Sequence, residues 1–361
     1  MAFSANILSQ NNILIPHDFP ILNSRNPKFT CSKSPLFSLH QNHNFHKRTS
    51  ISVSTTKVIS DMEIQQTSSN SINPQWKEFA NNVSGEWDGY GADFTIEGKP
   101  IELPENVVPD AYREWEVRVF DWQTQCPTLA NPEEGSLMYK LIQLLPTVGC
   151  EADAATRHSI DERNVGGADN KVSAFAYDSS GCYVGVWPLS DKLFEVEHCL
   201  VDPQNRESRV RIIQVIREDK TLLLQNIKVY REQWYGPFRN GDQLGGCSIR
   251  DTAFACTDAT KSSEVTGSWH GSSAVATFQS ETNIPQHLID HKPQKLVRDG
   301  HGLIFLPKQL WCSLKEEENG ETCAEVGWLF KQTSAITSRC SFTKDGKLKE
   351  VAIGHETLQE V

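Results

Sequence analysis

Apolar and polar residues alternate with a period of two along much of the chain. The alternation is clearest in residues 114–120, 194–198, 210–215 and 227–230. A period of two is typical of a β-strand that has one face against a core and the other in water. Each of these four segments is therefore predicted to be a strand with one buried and one solvated face.

Turn-forming residues divide several other apolar runs into pairs. Residues 178–181 (Asp-Ser-Ser-Gly), 319–320 (Asn-Gly) and 344–346 (Lys-Asp-Gly) each separate two apolar segments. Such turns join neighbouring antiparallel strands in hairpins. Many short strands joined by tight turns predict a mainly all-β protein, whose antiparallel strands close into a barrel or a sandwich.

Helical spacing is rare in the same sequence. Trp76, Phe79 and Val83 recur at helical offsets, so residues 74–83 are predicted to form a short N-terminal helix that packs on the sheet. Residues 135–145 fit a helix and a strand equally well, and the pattern leaves both interpretations open.

One short pattern occurs twice in the chain. Residues 83–89 (Val-Ser-Gly-Glu-Trp-Asp-Gly) and 265–271 (Val-Thr-Gly-Ser-Trp-His-Gly) both follow V-[ST]-G-x-W-x-G. Each copy is predicted to start the first strand of a barrel, where glycine allows two backbones to approach closely and tryptophan fills the closed end. The repeat predicts two barrel units in tandem, residues 75–250 and 262–361, with a boundary between residues 245 and 265.

A glycine followed after one residue by tryptophan, at the start of a β-meander, resembles the calycin superfamily, which includes lipocalins, fatty-acid-binding proteins and cyanobacterial bilin lyases. The C-terminal part adds the segments 303–307, 310–311, 325–329, 338–342 and 354–356 in that order. Their order is similar to an uncharacterised lipocalin-like domain family of cyanobacteria and plastids, itself distantly similar to the phycobiliprotein lyases. The resemblance implies two calycin-like barrels and a ligand-binding habit.

Five residues are expected to form the structural motif of the two barrels. Gly85 and Trp87 would close the first barrel, and Gly267 and Trp269 the second. Arg339 is expected to cap the second barrel by stacking over Trp269, which is a cation–π contact.

The first 60 residues have the composition of a chloroplast transit peptide. They contain one acidic residue, six Lys or Arg and fourteen Ser or Thr. A mitochondrial leader needs an Arg-rich amphipathic helix, and only two arginines occur in this segment. We therefore expect import into the chloroplast stroma, with residues 61–74 as a disordered linker before the folded part.

The rest of the chain is strongly acidic, because 29 Lys or Arg stand against 45 Asp or Glu after residue 60. Such a surface repels nucleic acid and anionic lipid, so neither is expected as the main partner. No apolar stretch approaches the length of a membrane span. The nine cysteines after residue 60 form no C-x-x-C pair, so no metal site is expected.

Candidate ligand-binding residues are aromatic residues and one histidine. Two aromatic clusters, residues 121–123 with Trp122 and residues 231–238 with Trp234 and Tyr235, could form the entrance of an open barrel, or pack between the two units. Trp115, on the predicted strand 114–120, is a further candidate. By alternation His198 faces the core, where it could be an axial haem ligand or an ordinary buried histidine. No G-x-S-x-G or H-E-x-x-H motif occurs, and no catalytic residue is predicted.

These features favour a non-enzymatic protein that binds or chaperones a small apolar or tetrapyrrole-like ligand in the stroma. The cofactor or ligand would be a tetrapyrrole or a lipid, and the partner would be that small molecule or a plastid protein. Two alternatives stay open. One is an assembly factor for a photosynthetic complex, whose barrels are filled with side chains. The other is a barrel-based lyase or isomerase with a buried acid or base, or a nitrobindin-like haem protein.

Overall fold

The computed structural model describes residues 73–148, 156–242, 254–278 and 285–359. Within these ranges β-strands dominate, and the described residues form one compact unit. Helices are short: α1 (Pro74–Val83), α2 (Asp110–Glu114), α3 (Ser262–Val265), and the 3-10 helices Glu105–Val107 and Phe254–Cys256. None of the helices in the described ranges has the length and apolar character of a membrane span.

The first sheet has eleven strands and is almost entirely antiparallel. Its strands are β1 (Glu86–Phe94), β2 (Trp122–Gln125), β3 (Thr128–Asn131), β4 (Ser136–Leu144), β5 (Arg157–Val165), β6 (Ala174–Tyr177), β7 (Tyr183–Ser190), β8 (Leu193–Val201), β9 (Ser208–Glu218), β10 (Leu222–Gly236) and β12 (Gln286–His287). Their order is β12-β6-β7-β8-β9-β10-β1-β2-β4-β3, and β5 also pairs with β4. The exception is β12, which runs parallel to β6.

The second sheet has seven antiparallel strands. They are β11 (Gly267–Thr277), β13 (Ile289–Arg298), β14 (Leu303–Leu306), β15 (Leu310–Glu316), β16 (Thr322–Lys331), β17 (Ser334–Phe342) and β18 (Leu348–Leu358). Their order is β13-β11-β18-β17-β16-β15-β14. The all-β architecture predicted from the alternation is therefore confirmed, and it takes the form of two sheets.

Both sheets curl, because strands at opposite edges are joined by short loops. β13 and β14 stand at the two ends of the second sheet, yet only residues 299–302 separate them. In the first sheet, residues 166–173 join β5 near one edge to β6 near the other. Among the described strands the hydrogen-bonded order stays open in both sheets, so neither sheet forms a closed barrel.

One hydrophobic core lies between the two sheets. Strands β8, β9 and β10 of the first sheet contribute Val196, Ile212 and Val229, and the second sheet contributes Val326 and Ile353. The predicted first unit, 75–250, thus holds the first sheet without β12, and the predicted second unit holds the rest. Residues 243–253 of the expected boundary lie outside the described ranges. The two units share their largest core.

Several predicted elements are confirmed. The helix predicted at residues 74–83 is α1, and residues 194–198, 210–215 and 227–230 lie in β8, β9 and β10. The three predicted hairpins join β6 to β7, β15 to β16, and β17 to β18. Residues 135–145, for which helix and strand were both open, form β4.

The strand predicted at residues 114–120 is wrong. Residues Asp110–Glu114 form α2 directly after Pro109, which suits a helix start. Glu116 then adopts a φ of 55°, which interrupts an extended strand, and the Val117 amide donates back to the Tyr112 carbonyl. Of the alternating apolar residues, Trp115 and Val117 are 62% and 46% exposed, and only Val119 packs against a small apolar cluster.

The two copies of the repeated pattern adopt the same local structure. Gly85 and Gly267 have φ values of 144° and 131°, which favour glycine. The Trp87 indole donates to the Val83 carbonyl at 2.9 Å, and the Trp269 indole donates to the Val265 carbonyl at 2.7 Å. Both tryptophans are fully buried.

The guanidinium over Trp269 belongs to Arg298 and not to Arg339. Arg298 lies 5.6 Å from the Trp269 ring, and Arg209 lies 4.1 Å from the Trp87 ring. Arg339 is opposite Glu325 in the middle of β17 and has no ring contact among the described residues. An arginine therefore does stack over Trp269 as predicted, but it comes from β13 and not from β17. Nothing in the spacing of residues along β17 indicated that another strand would supply this arginine.

Candidate functional site

The concave interior of the first sheet contains a network of buried charges. We call it the ion network; its members are Arg163, Glu195, Glu197, Arg209, Arg211 and Glu232. Alternation along β8 and β9 places these glutamates and arginines on the sheet face that points away from the second sheet. Arg163 reaches the same interior from β5, because the sheet curls.

Each carboxylate of the ion network contacts arginine. Arg163 Nη1 and Arg211 Nη1 both lie 2.8 Å from the Glu197 carboxylate. Arg209 Nε lies 2.6 Å from Glu232 Oε2, and Arg211 Nη2 lies 2.7 Å from Glu232 Oε1. A chain of alternating charges therefore crosses the interior from β5 to β10.

Phenol groups complete the coordination of Glu197. The hydroxyls of Tyr139 and Tyr183 both donate to its carboxylate, the latter at 2.9 Å. Burial alone would raise the pKa of Glu197, but the guanidinium groups of Arg211 and Arg163 lower it to about 2. The carboxylate is thus held ionised and fully paired, which suits a structural role better than acid–base chemistry.

Large side chains fill the interior of the first sheet. Arg209, Arg211, Tyr139 and Tyr183 are among the largest fully buried residues, and Trp187 is 4% exposed. None of these five residues lines the grooves described below. The first sheet therefore resembles the filled barrel of the assembly-factor alternative.

A groove of roughly 620 Å³ opens between the two sheets, at the edge of their shared core. We call it the inter-sheet groove. Its apolar lining comes from both sheets: Ala174, Val186, Pro188, Leu193, Phe194, Phe278, Phe342 and Leu348. Ser173, Ser190, Asp191, Glu218 and Lys347 supply its polar atoms. The volume and lining are those of a site for a small organic ligand.

Two hairpins set the walls of the inter-sheet groove. Phe194 on β8 and Phe342 on β17 meet across the sheets with ring centroids 5.8 Å apart. The β17–β18 turn brings Gly346 beside Glu218 at the end of β9, where an added Cβ would lie 3.2 Å from the carboxylate. The turn predicted at residues 344–346 thus forms part of the groove.

A second groove of roughly 830 Å³ lies at another junction of the sheets. The β9–β10 hairpin contributes Leu222 and Leu224, and the second sheet contributes Leu303, Ile304 and Phe305. Its polar lining includes Lys99 and Thr260. The shared core therefore opens into apolar grooves at two places.

The structure does not bring the predicted aromatic ligand residues together. Trp115 is 62% exposed beside Tyr112, whereas Trp122 is buried and stacks on His158 at 4.8 Å. Trp234 and Tyr235 are 37% and 48% exposed at the end of β10, and the Trp234 indole donates to the Ser84 carbonyl. These four residues line none of the described grooves, and the entrance they were expected to form stays a prediction.

His198 is fully buried and lines none of the described grooves. It faces the second sheet, where its Nδ1 lies 2.9 Å from the Ser338 hydroxyl. Burial lowers its pKa to about 3, so the ring is neutral. No group of metal-ligating side chains occurs in the described ranges. The His198 side chain points into the core, as the alternation along β8 predicted, and the second sheet covers that face of β8.

Asp88 is a buried acidic residue whose pKa is strongly raised. It lies on β1 with Oδ1 buried and unpaired. Burial, reinforced by the nearby Glu86 carboxylate, raises its pKa to about 7. A general acid or base would have this pKa, but Asp88 lines none of the described grooves.

The residues of the inter-sheet groove could not be found from sequence motifs. Phe194, Phe278 and Phe342 lie on three strands far apart in the chain, and each alone resembles an ordinary core residue. For the ion network a signal did exist. Glu195 and Glu197 on one predicted strand match Arg209 and Arg211 on the next, so opposite charges alternate on neighbouring strands.

No protein-family model matches the chain, and no curated protein matches it. Among solved structures, the chain is similar to a protein of unknown function from the DUF3598 family of Nostoc punctiforme, with 12% identity and a TM-score of 0.48. That alignment covers 80% of this chain and 100% of the other. The chain is also similar to the S-type phycobiliprotein lyase CpeS from Guillardia theta, with 8% identity and a TM-score of 0.26. Here the alignment covers 45% of this chain and 93% of the lyase.

Proposed function

We propose that this protein binds a small apolar molecule in the inter-sheet groove. The observation that carries the proposal is the groove itself, roughly 620 Å³ in volume and lined mainly by apolar side chains of both sheets. Sites for small organic ligands have volumes of roughly 300 to 1,000 Å³ and the same apolar lining with a few polar groups. A lipid or a flat tetrapyrrole belongs to this size class, and the three phenylalanines offer faces on which it can stack.

Binding is proposed ahead of catalysis because of where the perturbed groups lie. Asp88, with its pKa raised to about 7, could act as an acid or base, yet it does not line the groove. His198, with its pKa lowered to about 3 by burial, stays neutral and does not line the groove either. The groove's own carboxylates, Asp191 and Glu218, are at its polar edge and exposed. We further propose the chloroplast stroma as the location, on the composition of the first 60 residues.

A substitution that fills the groove tests this proposal. Ser190 lines the groove, whereas its neighbour Leu189 does not and is 50% exposed. We expect Ser190→Trp to weaken binding of the neutral fluorophore N-phenyl-1-naphthylamine by about tenfold or more, since the indole would occupy the apolar volume. Leu189→Trp places the same side chain one residue away and should leave the fluorescence titration unchanged.

Two results would contradict groove binding. One is a wild-type protein that does not bind the fluorophore, and the other is an equal effect of both tryptophan substitutions. Thermal unfolding of both variants checks that each is folded before the titrations are compared.

A protein partner is the second candidate, because the interior of the first sheet is filled by the ion network. Native mass spectrometry of the protein from its native source, combined with absorbance from 300 to 700 nm, separates the two functions. A bound small molecule or a coloured species supports the ligand proposal. A second polypeptide at fixed stoichiometry, with no small molecule, supports the assembly factor.

A further inference from the structure

The second groove lies beside the inter-sheet groove along one border of the shared core. Phe194 on β8 lines the inter-sheet groove, and Leu224 on β10 lines the second groove. Ile216 on β9 is paired in register with both, so the three residues form one row across the first sheet. Neighbouring strands are about 4.8 Å apart, which places the two groove walls about 10 Å apart on this sheet.

The second sheet has the same arrangement. Phe342 on β17 lines the inter-sheet groove, and Leu314 on β15 lines the second groove. β16 runs between these two strands and carries small residues there, with Thr322 opposite Phe342 and Ala324 opposite Leu314. One strand of each sheet therefore separates the two grooves, and the separating strand of the second sheet has small side chains at both positions.

The two grooves come closest at the end of the β9–β10 hairpin. Glu218 lines the inter-sheet groove, and Leu222 lines the second groove. These residues are directly opposite each other in the hairpin, where Cβ atoms are about 5 Å apart. Glu218 is exposed and forms no ion pair among the described residues, so its side chain can turn into solvent without breaking one. At the surface the grooves are thus one cross-strand pair apart.

The lining of the second groove suits an aliphatic ligand. Half of its lining residues are leucine or isoleucine, whereas the inter-sheet groove offers three phenylalanines. Ile96 and Leu223 in this lining are 45% and 39% exposed. Covering them with a hydrocarbon chain would remove apolar surface from water, which favours binding.

We propose that the two grooves hold one elongated ligand, a long unbranched fatty-acyl chain that passes the end of the β9–β10 hairpin. This inference rests on the proposed function and narrows it to one class of ligand. A chain that starts in the inter-sheet groove reaches the second groove by crossing a single strand pair, between Leu222 on one sheet and Thr322 on the other. A flat tetrapyrrole is too broad for that crossing and would stay in one groove.

Two neutral competitors that differ only in chain length test the proposal. They are 1-monooctanoylglycerol and 1-monopalmitoylglycerol, and each displaces N-phenyl-1-naphthylamine from the inter-sheet groove. Ala259 is exposed and lines the second groove, so Ala259→Trp fills that groove. We expect this variant to weaken the palmitoyl competitor about tenfold or more, because its outer methylenes lose their apolar surface. The octanoyl competitor and the fluorophore itself should bind as they do to the wild type.

Asp258→Trp is the matched control, since Asp258 is exposed and does not line the second groove. It should change neither competitor. Leu223→Trp fills the second groove from the hairpin side and should act as Ala259→Trp does. Thermal unfolding confirms that each variant is folded before displacement is measured.

The proposal is overturned if Ala259→Trp and Leu223→Trp leave palmitoyl binding unchanged, or if they weaken both competitors equally. A wild-type protein that binds two palmitoyl chains by native mass spectrometry, one of which each variant removes, would also overturn it, since the grooves would then be independent sites. Fluorophore binding that resists Ser190→Trp would contradict groove binding itself. Loss of the chain-length effect, with the fluorophore still sensitive to Ser190→Trp, would contradict this inference alone.

Discussion

Asp88 shows how one side chain can make stability depend on pH. Its carboxyl group is buried on β1, with the Glu86 carboxylate nearby and the Gln125 side chain as a hydrogen-bond partner. Burial and then the charge of Glu86 raise its pKa from 3.8 to about 7. A group whose pKa is raised on folding favours the folded state when protonated. The contribution of protonated Asp88 to the free energy of unfolding is thus fully present below about pH 4 and is lost as the pH rises through about 7.

We expect Asp88→Asn to stabilise the protein at pH 8 and to have little effect at pH 4. The amide has the shape of the protonated carboxyl group and cannot ionise, so the variant avoids the cost of a buried charge. From the size of the shift, the gain at pH 8 is on the order of 4 kcal/mol. Urea unfolding at the two pH values measures it. A variant that is equally destabilised at both values would show that the carboxylate is needed for structure.

At the same scale, the sequence predicted the two buried tryptophans but not their cationic partners. Trp87 and Trp269 stand in a repeated pattern, and a repeat is visible without a structure. Arg298 reaches Trp269 from an edge strand, because the sheet curls. Curl depends on how the whole sheet packs, so no local spacing distinguishes Arg298 from Arg339.

At the scale of elements, the glycines of β1 and β11 are required by backbone contact. A Cβ on Gly89 would lie 1.8 Å from the Arg231 carbonyl oxygen, and one on Gly271 would lie 2.0 Å from the His355 carbonyl oxygen. These are the last glycines of the two repeated patterns. The last glycine of the repeated pattern therefore marks a position where the backbone of the paired strand approaches too closely for a Cβ.

Gly89→Ala is expected to lower the free energy of unfolding by about 3 kcal/mol, because backbone must move to admit the methyl group. The control is Gly135→Ala, where φ is 64° and nothing lies within 4 Å of the added Cβ. The free energy of unfolding of that variant should fall by only about 1 kcal/mol, which is the cost of placing alanine in the left-handed backbone conformation. Chemical denaturation of both measures the difference, and equal losses would refute the crowding at Gly89.

The alternating pattern gave the wrong environment for the residues of the ion network. The polar residues of β8 and β9 were expected to face water, since alternation normally marks one wet face. They are buried because Glu195, Glu197, Arg209 and Arg211 pair with one another and with neighbouring strands. Whether a polar face is solvated or paired depends on residues of other strands, here Arg163 on the distant β5 and Glu232 on the adjacent β10.

Glu232→Gln should be strongly destabilising, by about 3 to 5 kcal/mol, since Arg209 and Arg211 would lose their shared carboxylate inside the sheet. Glu133→Gln removes an exposed ion pair with Lys77 and should not shift the unfolding temperature measurably. Calorimetry compares the two variants. Similar small shifts for both would show that water reaches the ion network.

At the scale of the molecule, the two repeats are joined by a shared core rather than separated by a linker. The sequence predicted two units from the repeated pattern; residues 75–250 supply the first sheet except β12, and residues 262–361 supply β12 and the second sheet. The packing of one sheet on the other leaves little signal in the local sequence. A strand whose two faces are both buried differs from a strand with one solvated face mainly in which distant residues cover the second face. Gln214 illustrates the point, since its side-chain amide donates to the Ser313 carbonyl of the other sheet at 3.0 Å.

Because one core serves both sheets, we expect them to unfold together. Ile353 on β18 and Val196 on β8 lie on opposite sides of that core and are buried. Ile353→Ala should lower the free energy of unfolding by about 2 to 5 kcal/mol, and both sheets should lose protection from hydrogen exchange. Hydrogen exchange followed by mass spectrometry reports each sheet through its own peptides, here from β9 and from β16. Protection should fall by the same factor in both. Faster exchange in β16 with unchanged exchange in β9 would show that the sheets are independent domains, as the repeat alone suggests.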